Sequence, residues 1–231
     1  MANGVKRQFN GMVRKVLITI SIGTILMILI CVVLGLFVEK NQVVINRKKI
    51  DPVEEPEIME MFLTPNKYSR PQLELSKVKG VVVHYTANPG STAEGNRNYF
   101  ENLRKKKTTY ASSHFVVGLD GEIIQCVPLT EIAYCSNNRN EDTISIECCH
   151  PDKSGKFEDA TYESLVELVA WLCGEYNLDR NQIIRHYDVT GKICPKYFVD
   201  HEDKWEEFKN DVFEYIEEHP LYGDSSSEEK E

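Results

Sequence analysis

An uncharged run of 23 residues near the amino terminus, residues 16–38, constrains this 231-residue chain more than any other feature. A helix needs about 20 apolar residues to cross the hydrocarbon core of a bilayer, so a run of this length is long enough for one span. Basic but no acidic residues precede it, which favours an amino terminus kept in the cytoplasm. We therefore expect residues 1–15 to be cytoplasmic, residues 16–38 to form a single-pass anchor in the lipid bilayer of the cell membrane, and the remaining chain to be extracytoplasmic.

A cleaved secretory signal is the alternative interpretation of this run. The apolar core of such a signal is about 7–15 residues long and ends at a small-residue cleavage site. The sequence Cys31-Val-Val-Leu-Gly-Leu-Phe-Val38 is a poor cleavage site, so the anchor is favoured. Three basic residues also follow the span and weaken the charge asymmetry; they are Arg47, Lys48 and Lys49.

The charge balance restricts the partners of the rest of the chain. The full sequence has 27 basic and 36 acidic side chains and a net charge of −9. Because the first fifteen residues are basic and the apolar run is uncharged, the part beyond the anchor is strongly acidic. Nucleic-acid binding requires a basic surface, and we therefore expect no nucleic-acid partner. No pattern in the sequence indicates an oligomeric state.

The order of the predicted elements indicates an α/β domain. Residues 39–60 mix charges with prolines and show no sustained period, which predicts a stalk. Strands are predicted at 81–85, as a hairpin pair within 114–128, and at 142–149, and helices at 92–106, 161–176 (with Thr161 as a plausible cap) and 203–218. Their alternation predicts a central mixed β-sheet flanked by helices in a domain of residues 61–218, followed by a disordered acidic tail of residues 219–231.

Three potential metal ligands stand at the ends of these elements. His84 ends an apolar strand, and His186 and Cys194 share one downstream loop. Two imidazoles and a thiolate, with a fourth position open to water, form a catalytic zinc site, whereas structural zinc sites are closed by four protein ligands. Spacing this loose also suits a polar loop histidine, so the three residues alone are a weak signal.

Longer motifs carry a more specific resemblance. Five runs occur along the chain: Thr64-Pro-Asn-Lys-Tyr-Ser-Arg-Pro71, Val81-Val-Val-His-Tyr-Thr86, Ser112-Ser-His-Phe-Val-Val-Gly-Leu-Asp-Gly121, Ser145-Ile-Glu147 and Arg185-His followed by Lys192-Ile-Cys-Pro195. Through them, residues 63–208 resemble the zinc-dependent N-acetylmuramoyl-L-alanine amidases of the amidase-2 family, which is related to the peptidoglycan recognition proteins. The resemblance implies a Zn²⁺ enzyme that hydrolyses the amide between N-acetylmuramic acid and L-alanine of peptidoglycan, with His84, His186 and Cys194 as the zinc ligands.

The resemblance also implies roles for side chains around the metal. Glu147 matches the glutamate that activates the attacking water, and its apolar strand neighbours would raise its pKa. The alternative for Glu147 is a solvent-facing strand residue or a partner of Arg139. Lys192 matches the lysine that stabilises the oxyanion. Arg70 and His114 are expected to bind substrate, although His114 is equally consistent with a structural histidine on a strand.

Two positions depart from the family pattern. Ser113 stands where other members have a tyrosine, so Glu147 must carry the proton transfer. Cys135 follows Tyr134, where many relatives have a histidine after an aromatic residue. A non-catalytic peptidoglycan-binding module and a different zinc amide hydrolase therefore remain as alternatives, although non-catalytic relatives commonly lose the third ligand, which Cys194 here supplies.

The cysteine pattern leaves the thiol chemistry open. If Cys194 binds zinc, five cysteines remain outside the anchor, and an odd number leaves at least one unpaired. A disulfide between Cys135 and either Cys148 or Cys149 is one alternative outside the cell, and a buried free thiol is favoured for Cys173. The five are Cys126, Cys135, Cys148, Cys149 and Cys173.

Overall fold

The computed structural model describes Met27, Ile30 and residues 49–221. The chain divides into two compact units, Met1–Lys49 and Ile50–Glu231. All of the strands and helices given below belong to the second unit.

Several of the predicted segments lie outside the described residues. These are the cytoplasmic segment 1–15, the anchor 16–38 apart from two positions, residues 39–48 of the stalk and residues 222–231 of the tail. Within the part of the chain that the structure describes, no helix combines the length and the apolar character needed to span a bilayer.

One mixed sheet of six strands forms the centre of the domain. The strands are β1 (Ile58–Glu60), β2 (Val81–Tyr85), β3 (Phe115–Val117), β4 (Ile123–Gln125), β5 (Ile144–Cys148) and β6 (Ile183–Arg185). They lie side by side in the order β1-β4-β3-β5-β2-β6. The pair β3 and β4 is antiparallel, and the other neighbouring pairs are parallel. The predicted mixed sheet is thus confirmed.

The position of β2 explains its apolar sequence. It lies between β5 and β6, and Val81, Val82 and Val83 are completely buried. Strands of a parallel sheet covered on both faces have continuous apolar runs, because neither face meets water. The polar exception is His84, which is paired in register with Glu147 of β5.

Residues 49–221 form five α-helices: α1 (Ala93–Lys106), α2 (Asp159–Tyr176), α3 (His186–Thr190), α4 (Lys196–Asp200) and α5 (Glu202–Glu218). The long helices α1, α2 and α5 pack on the two faces of the sheet. Leu165 and Leu168 of α2 and Phe208 of α5 bury their side chains in the core on one face of the sheet. Phe100 and Leu103 of α1 pack on the other face. The layers are those of an α/β domain.

Of the two threonines near helix starts, one caps its helix and the other does not. The Thr92 hydroxyl accepts a hydrogen bond from Gly95 N at 3.1 Å and caps α1, as expected for threonine at this position. Thr161, the predicted cap of α2, lies inside the helix, which begins at Asp159 after the N-cap residue Glu158. The Thr161 hydroxyl instead donates to Gly118 O at 2.7 Å, because it is buried against the turn after β3.

The folded domain begins before residue 61, its predicted start, and includes part of the predicted stalk 39–60. Val53 is buried in the core, and Ile58–Glu60 pairs with β4 as an edge strand. Leu221 N also donates to Pro52 O at 2.8 Å. Prolines are tolerated at the edges of sheets, since an edge residue need not donate to a neighbouring strand. Pro52 and Pro56 therefore do not exclude packing of this segment.

Candidate metal and catalytic site

His84, His186 and Cys194 meet at one edge of the sheet. Their ligand atoms all lie within 4.8 Å of one another, and all three residues are buried. His84 Nδ1 lies 3.8 Å from Cys194 Sγ, and the two imidazole centroids are 4.8 Å apart. We call these three residues the metal group.

The backbone explains how residues far apart in sequence come together. His84 lies near the carboxyl end of β2, and His186 directly follows the neighbouring parallel strand β6. Gly191 then adopts a left-handed conformation (φ 78°) and ends α3 by donating to Tyr187 O at 2.7 Å. Tyr187 N in turn donates to Cys194 O at 2.9 Å, which holds the cysteine loop against the start of α3.

The metal group has the chemical character of a zinc site. His186 Nδ1 is buried without a hydrogen-bond partner among the described residues, although buried polar atoms are nearly always paired. Burial lowers the pKa of His84 and of His186, with smaller contributions from nearby positive charge, so both imidazoles are neutral and able to coordinate. Burial also raises the pKa of Cys194 to about 12. Because a coordinated cation deprotonates a thiol, Zn²⁺ would stabilise the thiolate here.

Glu147 lies beside the metal group on β5. Its Oε1 accepts a long hydrogen bond from Cys135 Sγ at 3.6 Å. Its Oε2 is buried and has no partner in the part of the chain that the structure describes. Burial raises the pKa of Glu147 to about 8, against the lowering effects of Cys135 and Lys192. The alternative pairing with Arg139 is wrong, since Arg139 Nε binds Asp142 Oδ1 at 2.6 Å.

Cys135, a departure from the family pattern expected from the sequence, lies beside Glu147. Together with His84 and Glu147 it forms a second set of potential ligand atoms within 4.8 Å of one another. Burial and the neighbouring carboxylate raise its pKa well above that of an ordinary thiol, so Cys135 is a protonated, weak donor to Glu147.

The cysteines of the described residues are free thiols, and the alternative of a disulfide at Cys135 is therefore wrong for this structure. Cys173 is completely buried, as predicted for a small apolar side chain on the inner face of α2. The free thiols are those of Cys126, Cys135, Cys148, Cys149, Cys173 and Cys194.

Lys192 is an exposed residue of the loop between α3 and α4. Its positive charge lowers the pKa values of His84, Glu147 and Cys194. The ammonium group is therefore near enough to influence charge at the metal group.

Residues 74–197 match the family model described as N-acetylmuramoyl-L-alanine amidase. The chain belongs to this amidase family. It is similar to N-acetylmuramoyl-L-alanine amidase CwlL of Bacillus licheniformis, with 36% identity over 169 residues that cover 67% of this chain and 46% of the relative. The amidase BlyA of Bacillus subtilis (strain 168) is 37% identical over 172 residues, which cover 65% of this chain and 45% of BlyA.

Solved structures of the family have the same fold. The structure of PlyL matches with a TM-score of 0.58 and 29% identity, and the match covers 68% of this chain and 97% of PlyL. The catalytic domain of XlyA matches with a TM-score of 0.57 and 28% identity, covering 68% of this chain and 99% of that domain. The chain spans about half the length of the curated amidases CwlL and BlyA.

The two residues expected to bind the amidase substrate are engaged within the protein. Each nitrogen of the Arg70 guanidinium donates internally, two of them to the Glu131 carboxylate at 2.9 and 2.7 Å and the third to Leu63 O at 2.9 Å. His114 is buried, and its Nε2 and Nδ1 lie within 3.0 Å of Glu131 O and of Ser145, respectively. A substrate contact by Arg70 or His114 stays a prediction.

Two residues of the site were missed by sequence reasoning. Ser136 Oγ lies 3.1 Å from His84 Nε2, and Asn137 Oδ1 lies 2.8 Å from His186 Nε2. Both residues directly follow Cys135, which departs from the family pattern, and this position was the only hint in the sequence that they belong to the site. The sequence could not show that their side chains reach the histidines.

Proposed function

We propose that this chain is a zinc-dependent N-acetylmuramoyl-L-alanine amidase, which hydrolyses the amide between N-acetylmuramic acid and L-alanine of peptidoglycan. The observation that carries the proposal is the convergence of three ligand atoms, from His84, His186 and Cys194, beside a buried and unpartnered oxygen of Glu147. Membership of the amidase family supports the same conclusion.

The two histidines, through Nδ1, and the thiolate of Cys194 would hold the zinc ion and leave one position open. In such sites zinc supplies a Lewis acid, which polarises a carbonyl and lowers the pKa of a coordinated water to about 7. The thiol and imidazole donors of the metal group suit this ion, whereas magnesium and calcium prefer oxygen ligands.

Glu147 is the proposed general base and acid. Its Oε2 has no partner within the described range 49–221, so it is available to accept a proton from the attacking water. The same carboxyl group would then deliver the proton to the leaving amine of L-alanine. Cys135 Sγ, which contacts the other carboxylate oxygen, would keep Glu147 oriented toward the metal group.

Lys192 is the proposed stabiliser of the oxyanion. Its positive charge lowers the pKa values of all three metal-group residues and of Glu147, and it precedes Cys194 by two residues. A fixed positive charge near the scissile carbonyl favours the negatively charged tetrahedral state over the neutral substrate.

The proposed location of the enzyme rests on the sequence of its amino-terminal region. The uncharged residues 16–38 and the basic residues before them support a single-pass membrane anchor with the catalytic domain outside the cytoplasm, where mature peptidoglycan lies. Protease added to intact cells stripped of their wall is expected to remove the domain and to spare a short amino-terminal peptide. Full protection of the domain would contradict this topology.

Peptidoglycan digestion tests the proposed activity. The full chain is incubated with purified peptidoglycan, with and without a chelator, and the released fragments are identified by mass spectrometry, with Glu147→Gln as the matched control. We expect stem peptides with a free L-alanine amino group, released only by the wild-type chain and only with metal. Binding without release would indicate a recognition module, and cleavage of another amide would indicate a different hydrolase.

A further inference from the structure

The turn that follows Cys135 contacts both histidines of the metal group. Ser136 Oγ lies 3.1 Å from His84 Nε2, and Asn137 Oδ1 lies 2.8 Å from His186 Nε2. Two consecutive residues thus reach two histidines that are far apart in sequence, at positions 84 and 186. Ser136 and His84 are both about 1% exposed, so their contact is shielded from competing water.

The turn contacts Nε2 of each ring, and Nδ1 is the nitrogen that remains. His84 Nδ1 lies 3.8 Å from Cys194 Sγ, and His186 Nδ1 is buried without a partner among the residues described. A neutral imidazole carries one hydrogen, and the nitrogen without it is the one that can coordinate a metal. A hydrogen on Nε2 of each ring would leave both Nδ1 lone pairs free at the metal group.

The turn itself is held in place by its own hydrogen bonds. Asn140 Oδ1 accepts from Cys135 N at 3.0 Å and from Ser136 N at 2.6 Å, and Arg139 N donates to Ser136 O at 3.0 Å. Asn137 has a positive φ of 54°, in the left-handed region that asparagine tolerates better than most residues. Both acceptor side chains therefore stand on a fixed backbone.

We infer that Ser136 and Asn137 are positioning residues, which accept the Nε2 hydrogens of His84 and His186 and thereby hold both rings in the tautomer that presents Nδ1 to zinc. The inference rests on the proposed zinc site, but it concerns the orientation of the ligands and not the hydrolysis of the amide. Loss of such a hydrogen-bond partner costs roughly 10–100-fold in metal affinity.

Zinc affinity of matched full-chain variants tests this role, with a chromophoric chelator as the competitor. Asn137→Gly keeps the left-handed backbone conformation but removes the acceptor, so we expect its zinc affinity to fall by roughly 10–100-fold, and Ser136→Ala should behave similarly. Asn137→Asp retains an acceptor oxygen and should stay close to the wild-type affinity. Thermal unfolding of the zinc-free chains checks that each variant is folded.

Nitrogen NMR of the zinc-free chains separates a positioning role from a general structural one. In the wild type we expect the hydrogen of both rings on Nε2. Asn137→Gly should lose that preference at His186 alone, and Ser136→Ala should lose it at His84 alone. Unchanged tautomers, or unchanged zinc affinity in both variants, would overturn the inference. A wild-type chain that binds no zinc would instead contradict the proposed function itself.

Discussion

Two regions of this domain bury histidines and satisfy the polar atoms of those rings differently: the metal group, with His84 and His186, and the surroundings of His114. In the metal group, one nitrogen of each ring is hydrogen-bonded to Ser136 or Asn137. Of the other two nitrogens, His84 Nδ1 lies 3.8 Å from Cys194 Sγ, and His186 Nδ1 has no partner among the described residues. At His114, Nδ1 accepts from Ser145 N at 3.0 Å and Nε2 lies 3.0 Å from Glu131 O, so both nitrogens are used inside the protein. We call the latter set of residues the His114 network.

The difference between the two regions is whether every buried polar atom has a hydrogen-bond partner within the protein. A saturated network of buried hydrogen bonds fixes one structure, because every polar atom would lose a partner if it moved. Buried atoms without partners, such as His186 Nδ1 and Glu147 Oε2, are costly unless a ligand or an ion completes them. The contrast supports the proposed metal binding at the metal group, whereas the hydrogen bonds of the His114 network are complete without a ligand.

Substitution of a metal ligand should give the largest effect. His84→Ala and Cys194→Ala each leave two of three ligands. We expect the wild type to hold about one zinc per chain, and we expect both variants to lose this zinc and the hydrolysis of peptidoglycan. Elemental analysis of the purified chains measures the metal, and Cys173→Ala serves as the control because Cys173 is a buried thiol of the core on α2. Stoichiometric zinc in both ligand variants would exclude this ligand set.

Substitution of Glu147 should separate chemistry from metal binding. Glu147→Gln cannot accept a proton, and we expect kcat to fall by roughly 10²–10⁴-fold while the zinc content stays the same. Steady-state hydrolysis of a soluble muramyl peptide, measured alongside zinc content, gives both values. Wild-type turnover in this variant would assign the base role to another group.

Substitution of Lys192 should have a smaller effect on turnover. Lys192→Ala removes the charge that we place near the oxyanion, and a loss of about 10²–10³-fold in kcat is expected. Lys192→Arg keeps the charge and should recover part of the rate. Equal turnover in Lys192→Ala and the wild type would leave Lys192 as an ordinary loop residue.

The His114 network should appear in the pH dependence of stability. Burial lowers the pKa of His114 to about 4 from its usual 6.5, so the unfolded chain binds a proton that the folded chain excludes. Its contribution to stability is complete above pH 6.5 and is lost as the pH falls toward 4. Between pH 7 and pH 5 this loss is about 2 kcal/mol. Urea unfolding at several pH values gives the free energy of unfolding as a function of pH for the wild type and for His114→Asn. The wild type should lose more stability between pH 7 and pH 5 than the variant does, and equal losses would argue against a buried neutral His114.

The sequence alone predicted the central elements of the fold but not its short ones. The apolar run around β2 and the ordered motifs predicted the central strand, the mixed sheet and the convergence of His84, His186 and Cys194. The edge strand Ile58–Glu60 was not predicted, because its partner β4 lies more than sixty residues away and three residues carry no visible period. The short helices α3 and α4 were missed for the same reason, since five residues give too little periodicity.

Side-chain partners were less accessible to sequence reasoning than the backbone. Glu147 faces His84 because β2 and β5 pair in one particular register, which no local pattern reveals. The contacts of Ser136 and Asn137 with the histidines depend on the left-handed turn at Asn137. Motifs therefore predicted which residues meet, and the structure was needed to show which of their atoms are satisfied.

X-ray absorption at the zinc edge of the loaded full chain tests the central claim most directly. An open site made by His84, His186 and Cys194 predicts one sulfur at about 2.3 Å and two imidazole nitrogens at about 2.0–2.1 Å, with one further light atom from water. Cys135 is the alternative fourth ligand, because its thiol lies within reach of His84. Two sulfur neighbours would mean a closed site of two cysteines and two histidines, and would contradict the proposed catalytic role.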